Sequence, residues 1–257
     1  MRLKYLILVF LMSIFWNSTL SAQDTLQIPS AGGPKYVIVY GKAKIIKDSH
    51  YSVHGLVDVG YNFVEQTYGN FGVIGTYNHK KNWWFEMGIC MTTAPVKQFN
   101  FKSLRLSSGY YWNKQNLRLK LHYLWNPSTY YENHIHHLVL DLGFNPNYID
   151  LGLGFHYRHL HFFKQNPWNN MFNLVYKLEL SARPKTSLWN IKAAVKNMDY
   201  FDYTRWSQPM FSVKVLGRYT PKSLEYYLEF LAKPSGVLNM VVNGFDYKVR
   251  AGIIWVI

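Results

Sequence analysis

From Ser52 to Ile257 the chain repeats one pattern. A stretch of about ten to fourteen residues alternates apolar with polar or small side chains, and a polar turn rich in Asn and Pro follows. Leu117-Arg118-Leu119-Lys120-Leu121-His122-Tyr123 shows the alternation, as do Leu151-Gly152-Leu153-Gly154-Phe155-His156-Tyr157-Arg158 and Asn173-Leu174-Val175-Tyr176-Lys177-Leu178-Glu179-Leu180. Successive side chains of a strand point to opposite faces, so each segment has one greasy face and one polar face. A strand period sustained this long restricts the chain to all-β architectures.

The pattern predicts strands at 52–64, 70–79, 82–94, 99–112, 116–126, 134–144, 148–163, 170–182, 187–198, 209–219, 223–232 and 244–257. An even count closes an up-and-down barrel with both ends on one side. Short turns at Lys80-Lys81, Asn113-Lys114-Gln115, Asn145-Pro146-Asn147, Arg183–Thr186 and Thr220–Lys222 mark one end. The connections Asn126–Asn133, Lys164–Asn169, Met198–Gln208 and Lys233–Asn243 mark the other, while those near Gln66 and Pro95 are short. Aromatic residues make up 18% of the chain. Trp83, Trp84, Trp112, Trp125, Tyr130, Tyr131, Trp168 and Trp189 gather near strand ends, as in the girdles of a membrane barrel. A secreted β-sandwich or lipocalin-like barrel has the same alternation with its apolar face turned inward. Strand length, the aromatic load and the terminal strand favour the membrane form.

The N-terminus reads as a secretory signal. Arg2 and Lys4 precede a short apolar run from Tyr5 to Trp16, and small residues at Ser18, Ser21 and Ala22 predict cleavage before Gln23. The expected organisation is 1–22 signal peptide, 23–51 periplasmic lead or small plug and 52–257 transmembrane barrel. Ser30-Ala31-Gly32-Gly33-Pro34 is a linker and not a phosphate-binding loop. A pairing strand at Tyr36–Ile46 would make the strand count odd. Cys90, the single cysteine, excludes an internal disulfide. Without Arg2 and Lys4, 26 of the 28 Lys and Arg remain against 14 Asp and Glu. In an exported chain this balance points to anionic lipid headgroups or anionic solutes and not to nucleic acid.

With the apolar face outward, the polar face lines the lumen. The basic candidates are Arg105, Arg118, Lys120, Arg158, Lys177, Lys192, Lys196, Lys214, Arg218, Lys248 and Arg250, and the acidic ones are Asp58, Glu86, Asp141, Glu179, Glu225 and Glu229. Two readings follow: a closed interior stiffened by ion pairs, or a narrow pore whose Arg and Lys rings prefer anions.

Six histidines fall in one hairpin: His134, His136, His137, His156, His159 and His161. Two registers are compatible with the faces, one opposing His137 to His156 and the other opposing it to Arg158. The cluster can form a polar belt, bind a metal or supply a general base. Ser128 and Glu132 lie near it in sequence without a recognisable hydrolase motif. No catalytic residue is assigned and no cofactor is expected.

Over Ser52–Ile257 the chain resembles the Gram-negative outer-membrane β-barrels of about twelve strands. The resemblance implies an all-β transmembrane antiparallel barrel, monomeric, with both termini periplasmic, in contact with outer-membrane lipids including lipopolysaccharide. The last strand, with Tyr247, Val249, Ala251, Ile253, Trp255 and Ile257 on one face, is similar to the signal read by the barrel assembly machinery, although that signal usually ends in Phe. Small anionic solutes are candidate ligands of a channel. A lipid-acting enzyme at the outer rim and a barrel component of a secretion or polysaccharide-export apparatus are the alternatives.

Overall fold

The computed structural model describes residues 36–39, 42–45, 49–62, 66–79, 82–94, 99–112, 115–128, 133–162, 169–184, 187–201, 209–219, 223–234 and 245–257. The expected signal peptide, the cleavage position and most of the 23–51 segment lie outside these residues. β1 (Tyr36–Val39) and β2 (Lys42–Ile45) pair with each other as a separate two-stranded sheet.

The remaining strands are β3 (His50–Asn62), β4 (Gln66–Asn78), β5 (Trp83–Thr92), β6 (Asn100–Trp112), β7 (Leu117–Ser128), β8 (Asn133–Phe144), β9 (Ile149–Phe162), β10 (Asn169–Ser181), β11 (Trp189–Lys196), β12 (Met210–Tyr219), β13 (Leu224–Lys233) and β14 (Asp246–Val256). They form one closed barrel of twelve antiparallel strands, each paired with its sequence neighbours and β14 with β3. The fold is the all-β barrel that the alternation predicts. β4 begins at Gln66 and not at residue 70, because the tight β3–β4 connection pairs Asn62 directly with Gln66. Gln66 takes φ 59° there, and Asn82, Asn116 and Ser223 adopt the same left-handed backbone at other tight connections.

Alternation becomes two surfaces. Val53, Val57, Val59 and Tyr61 of β3, Phe85, Met87 and Ile89 of β5 and Leu138, Leu140 and Leu142 of β8 are exposed on the outside. Their neighbours His54, Leu56, Asp58, Glu86, Cys90, His137 and Asp141 are buried inside. The barrel therefore inverts the usual soluble arrangement: it is polar within and apolar without.

The chain enters β3 and leaves β14 at the same end, where the Ile257 amide donates to the Tyr51 carbonyl at 2.9 Å. The connections 79–82, 113–116, 145–148 and 220–223 are at that end, and 93–99, 197–209 and 234–245 are at the other. We refer to the latter as the long-loop end. A bulge at Cys90/Met91 opposes Ser103 to Cys90 but Phe101 to Met91, leaving Lys102 out of the ladder.

Close strand approach demands glycine at Gly154, where a Cβ would lie 2.1 Å from the Leu140 carbonyl oxygen. Gly55 has nothing within 4 Å of the same position. Gly154→Val is therefore expected to abolish the folded, heat-modifiable gel mobility of the barrel, and Gly55→Val to leave it intact. Equal behaviour of the two variants would refute this account of the wall.

Candidate functional site

The polar face of the strands delivers charge to the barrel interior. Arg105, Arg118, Lys192, Lys196, Arg218, Lys248 and Arg250 are buried there, with Asp58, Glu86, Asp141, Glu225 and Glu229. Lys120, Lys177, Lys214 and Glu179 reach the same interior through side chains that are mostly buried. Arg158 is half-buried, with its guanidinium 3.6 Å from the Met171 sulfur.

Three further charges join them. Asp150 is 2% exposed and continues the inward row of Gly152 and Gly154, so extending the alternation one step would have found it. Lys102 would point outward by strict alternation with Ser103 and Arg105. The bulge turns it inward, where its ammonium lies 3.5 Å from Asn70 Oδ1. Asp199 sits in a loop and carries no strand signal at all.

The charges sort into connected groups. Arg118 lies between Asp141 (3.8 Å) and Asp150 (3.0 Å), Lys177 between Asp150 (2.8 Å) and Glu179 (3.1 Å), and Lys192 meets Glu179 at 3.0 Å. Glu86 accepts from Arg105 at 2.7 Å, with Lys120 at 3.9 Å, and Ser107 links this pair to His122 at 2.7 Å. Arg218 pairs with Glu225 at 3.0 Å.

The largest group centres on Arg250. Its guanidinium meets Asp58 at 2.8 Å, Asp199 at 2.5 Å and Glu229 at 3.4 Å. Glu229 also takes Lys196 at 3.1 Å and Lys214 at 3.7 Å, and Asp199 takes Lys248 at 3.1 Å and Lys196 at 3.6 Å. Arg250, Lys248 and Lys196 thus converge on a carboxylate whose side chain is 1% exposed.

Asp199 belongs to a segment, Asn197–Phe201, that leaves the end of β11 and turns into the barrel. Asn197 anchors its start: the side chain accepts from the Tyr176 amide at 2.8 Å and donates to the Leu174 carbonyl at 2.7 Å. The Tyr200 carbonyl accepts from Arg105 at 2.9 Å, and its ring lies 5.1 Å from the Arg250 guanidinium. Phe201 packs with Leu56, Ile74, Cys90 and Leu124 on the far wall. Gly72 makes room for it, since a Cβ there would lie 2.6 Å from the Phe201 ring. A segment from β11 thus crosses the interior to β3, β4, β5 and β7.

The six histidines divide by face. The observed register opposes His137 to Arg158, His136 to His159 and His134 to His161. His137 and His156 point inward, and their rings meet diagonally with Nδ1 2.9 Å from Nε2. The other four are half-buried on the outward side. Among the described residues, no group of three His, Cys, Asp or Glu side chains is placed to hold a metal ion. Glu132 and the side chain of Ser128 lie outside the described residues, as do Tyr130, Tyr131 and Trp168.

Trp84 departs from the expected girdle. It is 1% exposed and points inward beneath Lys120, whose ammonium lies 4.9 Å from the ring. Trp83, its neighbour, takes the outward position, because adjacent residues of one strand cannot share a face. Cys90 is buried against the apolar contact of Phe201 and packs as a small hydrophobe.

Removing the Asp199 charge leaves Arg250 and Lys248 buried beside one carboxylate fewer. Asp199→Asn is expected to lower stability by about 3–5 kcal/mol, the usual cost of breaking one side of a buried ion pair. Urea unfolding in detergent micelles, followed by tryptophan fluorescence, measures it. An unchanged midpoint would show that the segment is not held by this carboxylate.

No family model matches the chain, and no curated protein sequence matches it. Solved structures do. The NanC porin superposes with a TM-score of 0.50 at 12% identity, covering 78% of this chain and 98% of the porin. A bacterial polysaccharide outer membrane secretin gives 0.46 at 8% identity over 81% of this chain and 99% of the secretin. Outer membrane phospholipase A from Escherichia coli gives 0.42 at 8% identity over 81% and 92%. At these identities the likeness is one of fold, and this chain has the architecture of the outer-membrane β-barrels.

Proposed function

We propose that this chain is an integral outer-membrane β-barrel with its ends toward the periplasm and its lumen closed. One observation carries the closure: Asn197–Phe201 crosses the interior, held by Asp199 on Arg250 and Lys248 and by Phe201 on the opposite wall. The membrane reading is supported by the exposed apolar exterior, since water gives no reason to expose Phe155 at 70% or Leu153 at 63% on adjoining outward positions. Closure favours the stiffened barrel over the open anion pore. Most of the basic side chains that would line a pore are already matched by carboxylates, and Asp150 and Asp199 reduce the interior excess further.

The anion-preferring reading keeps one support. Basic residues still outnumber acidic ones inside, so a path opened past the segment would favour anions.

Planar bilayers test both points. The wild-type barrel is expected to give no sustained conductance. Tyr200→Ala/Phe201→Ala is expected to open channels whose reversal potential in a salt gradient shows a modest anion preference. Steady wild-type conductance would overturn the closed reading, and cation preference in the variant would remove the anion-selective one.

A further inference from the structure

We infer that the barrel interior holds a solute site which Asp199 and Tyr200 fill from within the chain, and that its ligand is a small carboxylic acid carrying an aromatic ring, which takes their place and displaces the segment. The inference rests on the closed-lumen reading above. A cation cradle and a ring slot carry it.

The cradle takes its carboxylate by two points. Arg250 presents Nη1 2.8 Å from Asp199 Oδ1 and Nη2 2.5 Å from Oδ2, the fork with which a guanidinium receives a planar carboxylate. Lys248 adds an ammonium at 3.1 Å and Lys196 one at 3.6 Å. These three cations stand on β11 and β14, whereas Asp199 follows the end of β11. The wall builds the cradle, and the loop supplies only what fills it. Around this point the cations Lys196, Lys214, Lys248 and Arg250 meet the carboxylates Asp58, Asp199 and Glu229. With Asp199 in place cations exceed carboxylates by one, and without it by two. A solute can take the position without leaving buried cations unmatched only if it brings a negative charge of its own.

The slot is the place of the next side chain. The Tyr200 ring lies 5.1 Å from the Arg250 guanidinium, 5.9 Å from that of Arg105 and 5.7 Å from the Lys214 ammonium. It meets the His54 ring edge-on, with centroids 5.0 Å apart. Cations gathered round one position favour an aromatic ring there over an aliphatic group. Arg250 touches both the carboxylate and the ring, so a ligand that joins the two within a few bonds satisfies cradle and slot together.

Departure of the segment leaves the wall intact. The β10–β11 ladder ends at Lys177 and Lys196, ahead of Asp199, and the Asn197 side chain ties the start of the segment to β10. The Asp199 side chain is 1% exposed while the residue as a whole is half-buried, so it is the main chain that meets water. Phe201 covers Cys90, the single cysteine, which is 1% exposed on the inward face. When Phe201 leaves, that thiol becomes reachable from the lumen.

The rate at which a small neutral methanethiosulfonate modifies Cys90, followed by mass spectrometry of the full-length barrel in nanodiscs, therefore reads displacement. Para-hydroxyphenylpropionate is expected to accelerate labelling of the wild type saturably. Its half-saturating concentration is expected to lie about tenfold or more below that of para-hydroxyphenylpropanol, the worth of one charge-assisted hydrogen bond. It is also expected to lie below that of acetate, which has no ring. No acceleration by the acid overturns the site, equal action of acid and alcohol overturns the cradle, and equal action of acid and acetate overturns the slot. Asp199→Asn gives a second measurement. The acid is expected to raise its urea midpoint more than that of the wild type, where Asp199 competes, and an equal shift in both overturns the exchange. If Asp199→Asn does not fold, the wild-type labelling decides alone. These outcomes leave the closed lumen standing. Labelling without solute as fast as in Phe201→Ala would instead show that the segment does not seal the interior, and would overturn the closed reading and the site with it.

Discussion

The guanidinium of Arg250 is the joint on which the interior depends. It is 1% exposed, so its desolvation must be offset by charges fixed in place around it. Each of its three carboxylates comes from a different part of the fold: Asp58 from β3, Glu229 from β13 and Asp199 from the inward segment. Register puts the first two there. Lys214 opposes Glu229, Glu229 opposes Arg250 and Arg250 opposes Asp58 along one row across β12, β13, β14 and β3. The signs alternate from Lys214 to Asp58, and the last step crosses the seam where the first and last strands close the barrel. A slip of one residue at that seam would turn Arg250 outward and leave the carboxylates buried without it. Charge alternation along the row therefore specifies closure as well as stabilising it.

The same requirement explains why a loop segment turns into the barrel. Lys and Arg side chains on an outward face of a membrane barrel cost about 2–4 kcal/mol each near the midplane, and Asp and Glu less, so the alternating pattern sends them inside. Once inside and shielded from water they need partners. The strands alone supply more cations than anions, and Asp199 adds an anion where Arg250, Lys248 and Lys196 converge. The aromatic residues that follow it use what remains: Tyr200 lies near the cations, and Phe201 enters the apolar contact of Leu56, Ile74, Cys90 and Leu124. Crossing the interior and neutralising it are thus one structural act.

The sequence made the wall legible, and less of what crosses it. Strand number, antiparallel order and the inward or outward sense of Arg105, Lys192 or Glu229 follow from a period of two, which is a local property of the backbone. Asp150 was within reach of the same rule. Lys102 was not, because the bulge that turns it inward is a mismatch between β5 and β6, and neither strand shows it alone. Trp84 was misplaced for another reason. Counting aromatics near strand ends ignores parity, and Trp83 and Trp84 cannot both face outward. Asp199 lies in a loop, where no periodicity applies, so its role emerges only once the cations it serves are brought together by strands distant in sequence. Among the histidines, sequence proximity located the hairpin but left the register open. The observed register opposes His137 to Arg158, and His137 nevertheless reaches His156 along the diagonal.

The closed lumen proposed for this barrel moves the question of function to the segment that closes it and to the surfaces that stay accessible. Inside, most of the cationic side chains are paired with carboxylates, and a group exchanged for an uncharged solute would leave a buried charge behind. Outside, the strands offer apolar side chains without partners of their own, interrupted at the long-loop end by imidazoles and indoles that hydrogen-bond across β7, β8, β9 and β10. Tyr123 and Trp125 point outward from β7 in the same alternation that turns Leu124 into the interior contact of Phe201. The backbone register that seats the inward segment against the wall therefore also fixes where the imidazoles stand outside. Any change that shifted β7 by one residue would disturb both faces together.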